Sequence, residues 1–153
     1  HRDLHSFPTR RSSDLSGCTR GFNIHHARID IQNTLVEGYM SEGFSIAESR
    51  VWIRFSKSAS QAHSTSSGLV ISYNSYVWIY NSHFDDNKLD GIYLDKASVI
   101  QCSGANTALR NGRYGMRADT ASWTRDCGMQ AVLDLGGANS NLKSWVEYPY
   151  LGD

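Results

Sequence analysis

Two aspartates, Asp95 and Asp119, stand 24 residues apart, and each follows a glycine by four positions. If that interval is one structural repeat, the two carboxylates lie on neighbouring strands, about 4.8 Å apart. Carboxylates separated by about 5–5.5 Å act as acid and nucleophile in retaining glycosidases, and such a pair can also share a proton or hold Ca²⁺. Two solvated turn residues, one repeat apart, are the simpler interpretation. Asp95 and Asp119 are nevertheless the candidates that the sequence offers for catalysis.

Aromatic side chains provide a second candidate site. Trp52 and Trp78 occupy equivalent outward positions of adjacent repeats once one inserted residue is allowed for. Tyr76 and Tyr80 flank Trp78 and share its face if the strand alternates regularly. An exposed aromatic row can bind a ligand by stacking on sugar rings, or it can pack against a neighbouring subunit. A third interpretation is an aromatic stack that covers the outer face of a sheet beneath a loop.

Residue types that bind metals occur without a ligand pattern. His25 and His26 are adjacent, so on a strand they point to opposite faces, and no cysteine or carboxylate stands at ligand spacing from them. Asp85, Asp86 and Asp90 form an acidic turn that solubility and turn geometry explain. We therefore expect neither a metal site nor a cofactor.

The elements that must position these residues repeat along the chain. Glycines recur at intervals of 22, 25, 23 and 24 residues, and each opens a pattern of alternating apolar residues. The five glycines are Gly21, Gly43, Gly68, Gly91 and Gly115. A period of this length marks an array of strand-like units that must stack to bury an apolar face. We expect the glycines at matching corners of the coils.

Each repeat supplies two strands with a small residue at the corner between them, and a third apolar segment precedes the next glycine. The expected corner residues are Ala27, Ser49, Ser75, Ala97 and Ala121. The expected inward residues are Phe22, Ile24, Ile29, Ile31, Phe44, Ile46, Val51, Ile53, Leu69, Ile71, Val77, Ile79, Ile92, Leu94, Val99, Met116, Ala118 and Trp123, with Leu35-Val36, Phe84 and Leu109 in the third segment. Alternation falters at Val99, where Ile100 and Cys102 are the alternative inward pair and a bulge would resolve the conflict. The polar residues 57–67 are expected to protrude.

Three strands per turn predict an all-β fold, a right-handed parallel β-helix of about five coils of 22–25 residues. Units such as Gly91-Ile-Tyr-Leu-Asp-Lys-Ala-Ser-Val-Ile-Gln-Cys-Ser-Gly104 and Asn111-Gly-Arg-Tyr-Gly-Met-Arg-Ala-Asp-Thr-Ala-Ser122 resemble repeats of the pectate-lyase-like superfamily. They are most similar to the β-helix repeats of phage tail fibres and tailspikes.

That resemblance implies a structural or receptor-binding segment, a homotrimer that contacts a host surface polysaccharide, located in the virion or outside the cell. A polysaccharide lyase or glycoside hydrolase on the same fold is the alternative, and a secreted bacterial adhesin is a third possibility. A lyase of this superfamily needs an acidic calcium cluster and a basic Arg or Lys. Arg113, Arg117 and Arg125 are near enough in sequence to be considered, but no motif selects one of them.

Composition limits the classes of partner that the protein can bind, and the pattern along the chain indicates its domains. Fifteen basic residues balance fifteen acidic ones, so no strong field favours nucleic acid, and no apolar run is long enough to insert into a membrane. Residues 1–15 resemble the in-frame translation of a sequencing adapter, and we expect them to be no natural part of the protein. We expect the β-helix, itself a fragment, over residues 16–135 and a cap or transition over 136–153.

The chain has three cysteines. Cys102 and Cys127 are 25 residues apart, about one repeat, so they lie on neighbouring coils either as a disulfide or as stacked small core residues.

Overall fold

A computed structural model describes residues 18–61, 63–119 and 121–127, and within these ranges the chain is all-β. The strands are β1 (Arg20–His25), β2 (Arg28–Gln32), β3 (Leu35–Glu37), β4 (Glu42–Ala47), β5 (Arg50–Arg54), β6 (Lys57–Ala59), β7 (Ser67–Ser72), β8 (Tyr76–Tyr80), β9 (Asp90–Leu94), β10 (Val99–Ser103), β11 (Tyr114–Ala118) and β12 (Trp123–Arg125). No helix in the described ranges could cross a membrane.

Every strand pairs in parallel with the strand one coil away, which makes the chain a solenoid of about five coils. The first sheet has the order β1-β4-β7-β9-β11, and the second has the order β12-β10-β8-β5-β2. The third is the short pair β3-β6, extended by single bridges from Lys57 to His83 and from His83 to Thr107. The predicted all-β parallel solenoid is confirmed.

The core lies between the three sheets and is built from equivalent positions of successive coils. Ile46, Ile71 and Leu94 are register partners in the first sheet and are fully buried. In the second sheet, Ile53 and Ile79 stack in the same way. Each coil thus buries its apolar side chains mainly against the neighbouring coils. The hydrophobic effect therefore stabilises the stacked coils together, whereas one coil alone would leave these side chains exposed to water.

The repeating glycines stack in register, but they lie inside the strands and not at corners. A Cβ atom on Gly43 would lie 2.6 Å from the carbonyl oxygen of Gly68 and 2.8 Å from Cβ of Ser58. Neither Gly43 nor Gly68 has a positive φ. Close approach of the neighbouring coil, and not a turn conformation, therefore requires glycine here.

The corner between the first two sheets differs from the prediction in the later coils. It contains one residue with positive φ in the second coil (Glu48) but two in the third and fourth, Tyr73-Asn74 and Lys96-Ala97. The buried corner residue of the fourth coil is therefore Ser98, not Ala97, and that of the fifth is Ser122, not Ala121.

This longer corner shifts the phase of the strands that follow it. Ile100 and Cys102 face the core, whereas Val99 and Trp123 are half-buried on the outer face. The expected inward placement of Val99 and Trp123 was wrong, and no bulge is needed, because Val99 pairs directly with Tyr76. In the third segment, Ala108 is buried in place of the expected Leu109.

The corner serines form a column of hydrogen bonds. The backbone N–H of each corner residue donates to the hydroxyl of the corner serine one coil later, from Ala27 to Ser49, Ser49 to Ser75, Ser75 to Ser98 and Ser98 to Ser122. The serine hydroxyls of this column accept hydrogen bonds from backbone N–H groups at the corners, where no neighbouring strand provides a carbonyl acceptor.

The polar residues 57–67 protrude less than expected. Lys57–Ala59 form β6, and Ser58, Ser60 and Ser66 are buried. The hydroxyl of Ser60 donates to the backbone oxygen of Tyr39 at 2.7 Å, which ties the segment to the preceding coil. Of the described residues in this segment, Gln61, Ser64 and Thr65 are among those that reach solvent.

A disulfide joins Cys102 on β10 to Cys127, just after β12. Both residues are buried, and their Cα atoms are 4.7 Å apart. The bond therefore crosses from one coil to the next at the inner face of the second sheet. Cys18 is a free thiol.

Candidate functional site

The outer face of the second sheet carries the aromatic residues that the sequence singled out. Trp52 on β5 and Trp78 on β8 are direct register partners, so their predicted equivalence is confirmed. Tyr76 and Tyr80 lie two positions on either side of Trp78 and share its outward face. We call this set, with Phe55 at its border, the aromatic face. All four predicted side chains are half-buried, so each keeps part of its ring accessible.

Ring contacts connect three members of the aromatic face. The centroids of Trp78 and Tyr80 are 6.1 Å apart with planes inclined by 29°, and Phe55 meets Tyr80 edge-on at 5.3 Å. Phe55 is 52% exposed, which is unusual for a side chain of its size. Because such contacts restrict rotation of the rings, the face presents a preformed surface to a ligand.

An open groove of about 500 Å³ runs beside the two tryptophans. Its walls are Arg28, Ile29, Asp30, Trp52, Arg54 and Trp78. The Arg28 guanidinium lies over the Trp52 ring, 5.2 Å from its centroid. The groove therefore combines apolar ring faces with charged groups that can bind polar substituents.

Asp30 and Arg54 form an ion pair across the groove. Arg54 Nε donates to Asp30 Oδ1 at 3.1 Å, and Arg54 Nη2 donates to Oδ2. This hydrogen bonding lowers the pKa of Asp30 below its usual 3.8. The sequence prediction missed Arg28, Asp30 and Arg54 although a signal existed, since Asp30 occupies the same coil position as Trp52.

On the strands that follow the tryptophans in the second sheet, amide and carboxylate side chains lie next to the aromatic face. The Tyr76 hydroxyl donates to Gln101 Oε1, and Gln101 Nε2 donates to Asp126 Oδ2 at 3.1 Å. Gln101 is the register partner of Trp78 on β10. The aromatic face thus ends in groups that can hydrogen-bond hydroxyls.

Asp95 and Asp119 follow β9 and β11 at equivalent positions, because Leu94 pairs with Ala118. Asp119 Oδ2 accepts a hydrogen bond from Arg117 Nη2 and one from the Tyr93 hydroxyl at 3.4 Å. Asp95 Oδ1 accepts from the backbone N–H of Lys96 at 2.8 Å. The two carboxylates are thus one coil apart, as the spacing predicted, and half-buried. Their catalytic role stays a prediction.

Tyr93 lies close to both carboxylates. Burial, followed by the negative charge of Asp95, raises the pKa of its hydroxyl above the usual 10. The Arg117 guanidinium is 4.8 Å from the centroid of the Tyr93 ring. At neutral pH, Tyr93 is therefore a neutral hydrogen-bond donor in this cluster.

The sequence of the chain matches a known protein family. A family model described as right handed beta helix region matches residues 8–130, most of the chain. The chain belongs to the right-handed β-helix family. No curated protein and no solved structure matches it. Family membership and the coil architecture together support a pectate-lyase-like β-helix protein.

The acidic turn of this β-helix does not form a common site. Asp85 accepts from Thr107 and from the Leu109 backbone, whereas Asp86 and Asp90 pair with Arg110 and Arg113 respectively. In the described ranges, no group of three or more His, Cys, Asp or Glu side chains is arranged to hold a metal ion.

The arginines that the pectate-lyase-like resemblance brought into consideration as a base also have carboxylate partners. Arg113 binds the fully buried Asp90, and Arg117 binds Asp119. Arg125 Nε lies 3.7 Å from Asp126 Oδ2. Each guanidinium is thus engaged in neutralising a neighbouring carboxylate.

Proposed function

We propose that this β-helix is a structural and receptor-binding segment of a phage tail fibre or tailspike, and that its aromatic face contacts a host surface polysaccharide. The observation that carries the proposal is the register pair of Trp52 and Trp78, which lines an open groove together with charged side chains. The remaining outer surface of the second sheet has no comparable concentration of rings among the described residues.

The chemistry of the groove suits a sugar. The C–H face of a pyranose ring packs on an indole ring and removes apolar surface from water. Hydroxyl groups at the ring edge find donors and acceptors in Arg28, Asp30 and Gln101. Equivalent positions recur about every 4.8 Å along the solenoid, so a chain of sugars can follow the tryptophan column.

The proposal includes a homotrimer located in the virion or outside the cell. The exposed Phe55 at the border of the aromatic face offers apolar surface for a second copy, beside the tryptophans that take the glycan. The Cys102–Cys127 disulfide supports the location, because disulfides persist in oxidising environments.

Removing single rings tests the proposal. Trp52→Ala and Trp78→Ala should each weaken retention on immobilised polysaccharides by roughly 5–10-fold, since one ring contact contributes about 1–1.5 kcal/mol. Leu35→Ala is the control, because it removes an exposed apolar side chain from the third sheet. Binding is measured on a panel of neutral and acidic polysaccharides, and mass by light scattering.

The two readouts separate the interpretations of the aromatic face. Reduced binding with an unchanged trimer mass supports a sugar platform. Unchanged binding with loss of the trimer would instead make the face a subunit contact and contradict the proposal.

A polysaccharide lyase or glycoside hydrolase is the second candidate, because Asp95 and Asp119 lie one coil apart beside Tyr93 and Arg117. The wild type is incubated with the same panel, and reducing ends and unsaturated products are measured. We expect no products. Products that disappear in the double variant Asp95→Asn with Asp119→Asn would establish the enzyme instead, because that variant removes both acid and base.

A further inference from the structure

Two arginines beside the aromatic face differ from the other arginines that the structure describes. Arg28 on β2 and Arg50 on β5 are direct register partners, and both are exposed. Neither has a carboxylate partner within the described ranges; Arg28 contacts the Trp52 ring instead. Like charges on paired strands repel, so this arrangement reduces stability unless something compensates it.

Charge compensation is the rule for the other arginines that the structure describes. Six other arginines of the described chain each have a carboxylate in contact, usually one coil away: Arg20, Arg54, Arg110, Arg113, Arg117 and Arg125. Arg28 lines the groove beside the tryptophans, and Arg50 is its register partner on the adjacent strand. This arrangement indicates an anionic partner at that position.

Resting on the proposed function, we infer that the polysaccharide of the aromatic face is anionic. Its sugar ring lies on Trp52 and Trp78, and its carboxylate or sulfate group binds between Arg28 and Arg50. The position fits, because these arginines are two residues before Asp30 and Trp52 on their strands and share their outward face. The negative charge of Asp30 does not oppose the anion, since Arg54 already neutralises it.

Geometry favours binding of an anion by this pair. A guanidinium presents parallel N–H donors that match the two oxygens of a carboxylate or sulfate. The contact with the Trp52 ring restricts Arg28 before the ligand arrives, so less side-chain entropy is lost on binding.

The test compares polysaccharides that differ in charge alone. Alginate is paired with its carboxyl-reduced product, and dextran sulfate with dextran. The wild type should bind at least one anionic member about tenfold more tightly than its neutral counterpart, and NaCl should reduce that difference. The pair that shows the preference identifies the anion as carboxylate or sulfate.

The double variant Arg28→Gln with Arg50→Gln should bind the anionic and the neutral member of each pair equally, because it removes both positive charges. Lys88→Gln is the matched control, because it removes an exposed positive charge from the turn before β9, away from the aromatic face. Circular dichroism checks that each variant is folded.

Three outcomes would overturn the inference. Equal binding of charged and neutral members that still depends on Trp52 and Trp78 would refute the anionic specificity and leave the proposed function intact. Binding of poly-L-glutamate as tight as that of alginate, and independent of the tryptophans, would reduce the site to a cationic patch. Binding of none of these polymers, nor of any polysaccharide in the panel above, would refute the proposed function as well.

Discussion

At the scale of single residues, most ion pairs in the described part of this β-helix join side chains that lie one coil apart. Asp90 is the extreme case, because its side chain is fully buried and accepts two hydrogen bonds from Arg113. Asp86 binds Arg110 in the same way but is 35% exposed. The burial of the carboxylate should therefore determine how much each ion pair contributes to the free energy of unfolding.

Arg113→Gln should lower the free energy of unfolding by about 1–3 kcal/mol, because it leaves Asp90 buried without its partner. This loss is smaller than that for a fully buried ion pair, because Arg113 is 39% exposed and solvent screens its charge. Arg110→Gln is the control and should cost less than about 1 kcal/mol. Urea unfolding of the two variants measures the difference. Equal losses would show that burial of Asp90 does not govern the effect.

Sequence reasoning reached Trp52 and Trp78 because their coil positions follow from the repeat. It could have reached Asp30 from the coil position that this residue shares with Trp52, but it missed Arg28 and Arg54 because the notable feature of each is its ion-pair partner or lack of one. Such pairing depends on side-chain orientation, which the period of the repeat does not determine.

At the scale of elements, the glycine period was sufficient to predict the strands and their parallel stacking, because only one register places Ile46, Ile71 and Leu94 in a common core. It was insufficient at the corners. The inserted residue of the third coil was predicted, but the corner of the fourth coil has two residues with positive φ as well. This leaves the period almost unchanged but shifts the phase of the next strand, which is why Val99 was misplaced.

The corner serines should be sensitive to substitution although they are small. Ser75→Ala leaves the buried N–H of Ser49 without its acceptor, which should cost about 1–3 kcal/mol. Ser64→Ala, on the exposed loop before β7, should have almost no effect. Thermal unfolding of both variants gives the comparison, and a Ser75→Ala variant as stable as the wild type would mean that the column does not contribute.

At the scale of the whole molecule, the disulfide joins the fourth coil to the fifth. It closes a loop with a sequence separation of 25 residues. Sequence spacing placed Cys102 and Cys127 on neighbouring coils, but it left open whether they are bonded. The bond depends on the phase of β10, since it requires Cys102 to face the core.

Replacing both cysteines by serine should lower the stability by about 2–4 kcal/mol, because the crosslink no longer restricts the unfolded chain. Labelling of thiols in the unfolded, unreduced protein should find Cys18 alone reactive, whereas reduction should expose all three cysteines. Three reactive thiols before reduction would show that the bond is absent.

The central claim is that the aromatic face binds a polysaccharide, and NMR spectra of the tryptophan indole N–H groups test it most directly. The probe is a short oligosaccharide cut from whichever polysaccharide of the panel the wild type retains. Assigned by single Trp→Phe variants, the signals of Trp52 and Trp78 should shift most on titration, and the signal of Trp123, two strands away from Trp78, should shift less. Shifts confined to other residues, or no shift at saturating sugar, would contradict the claim.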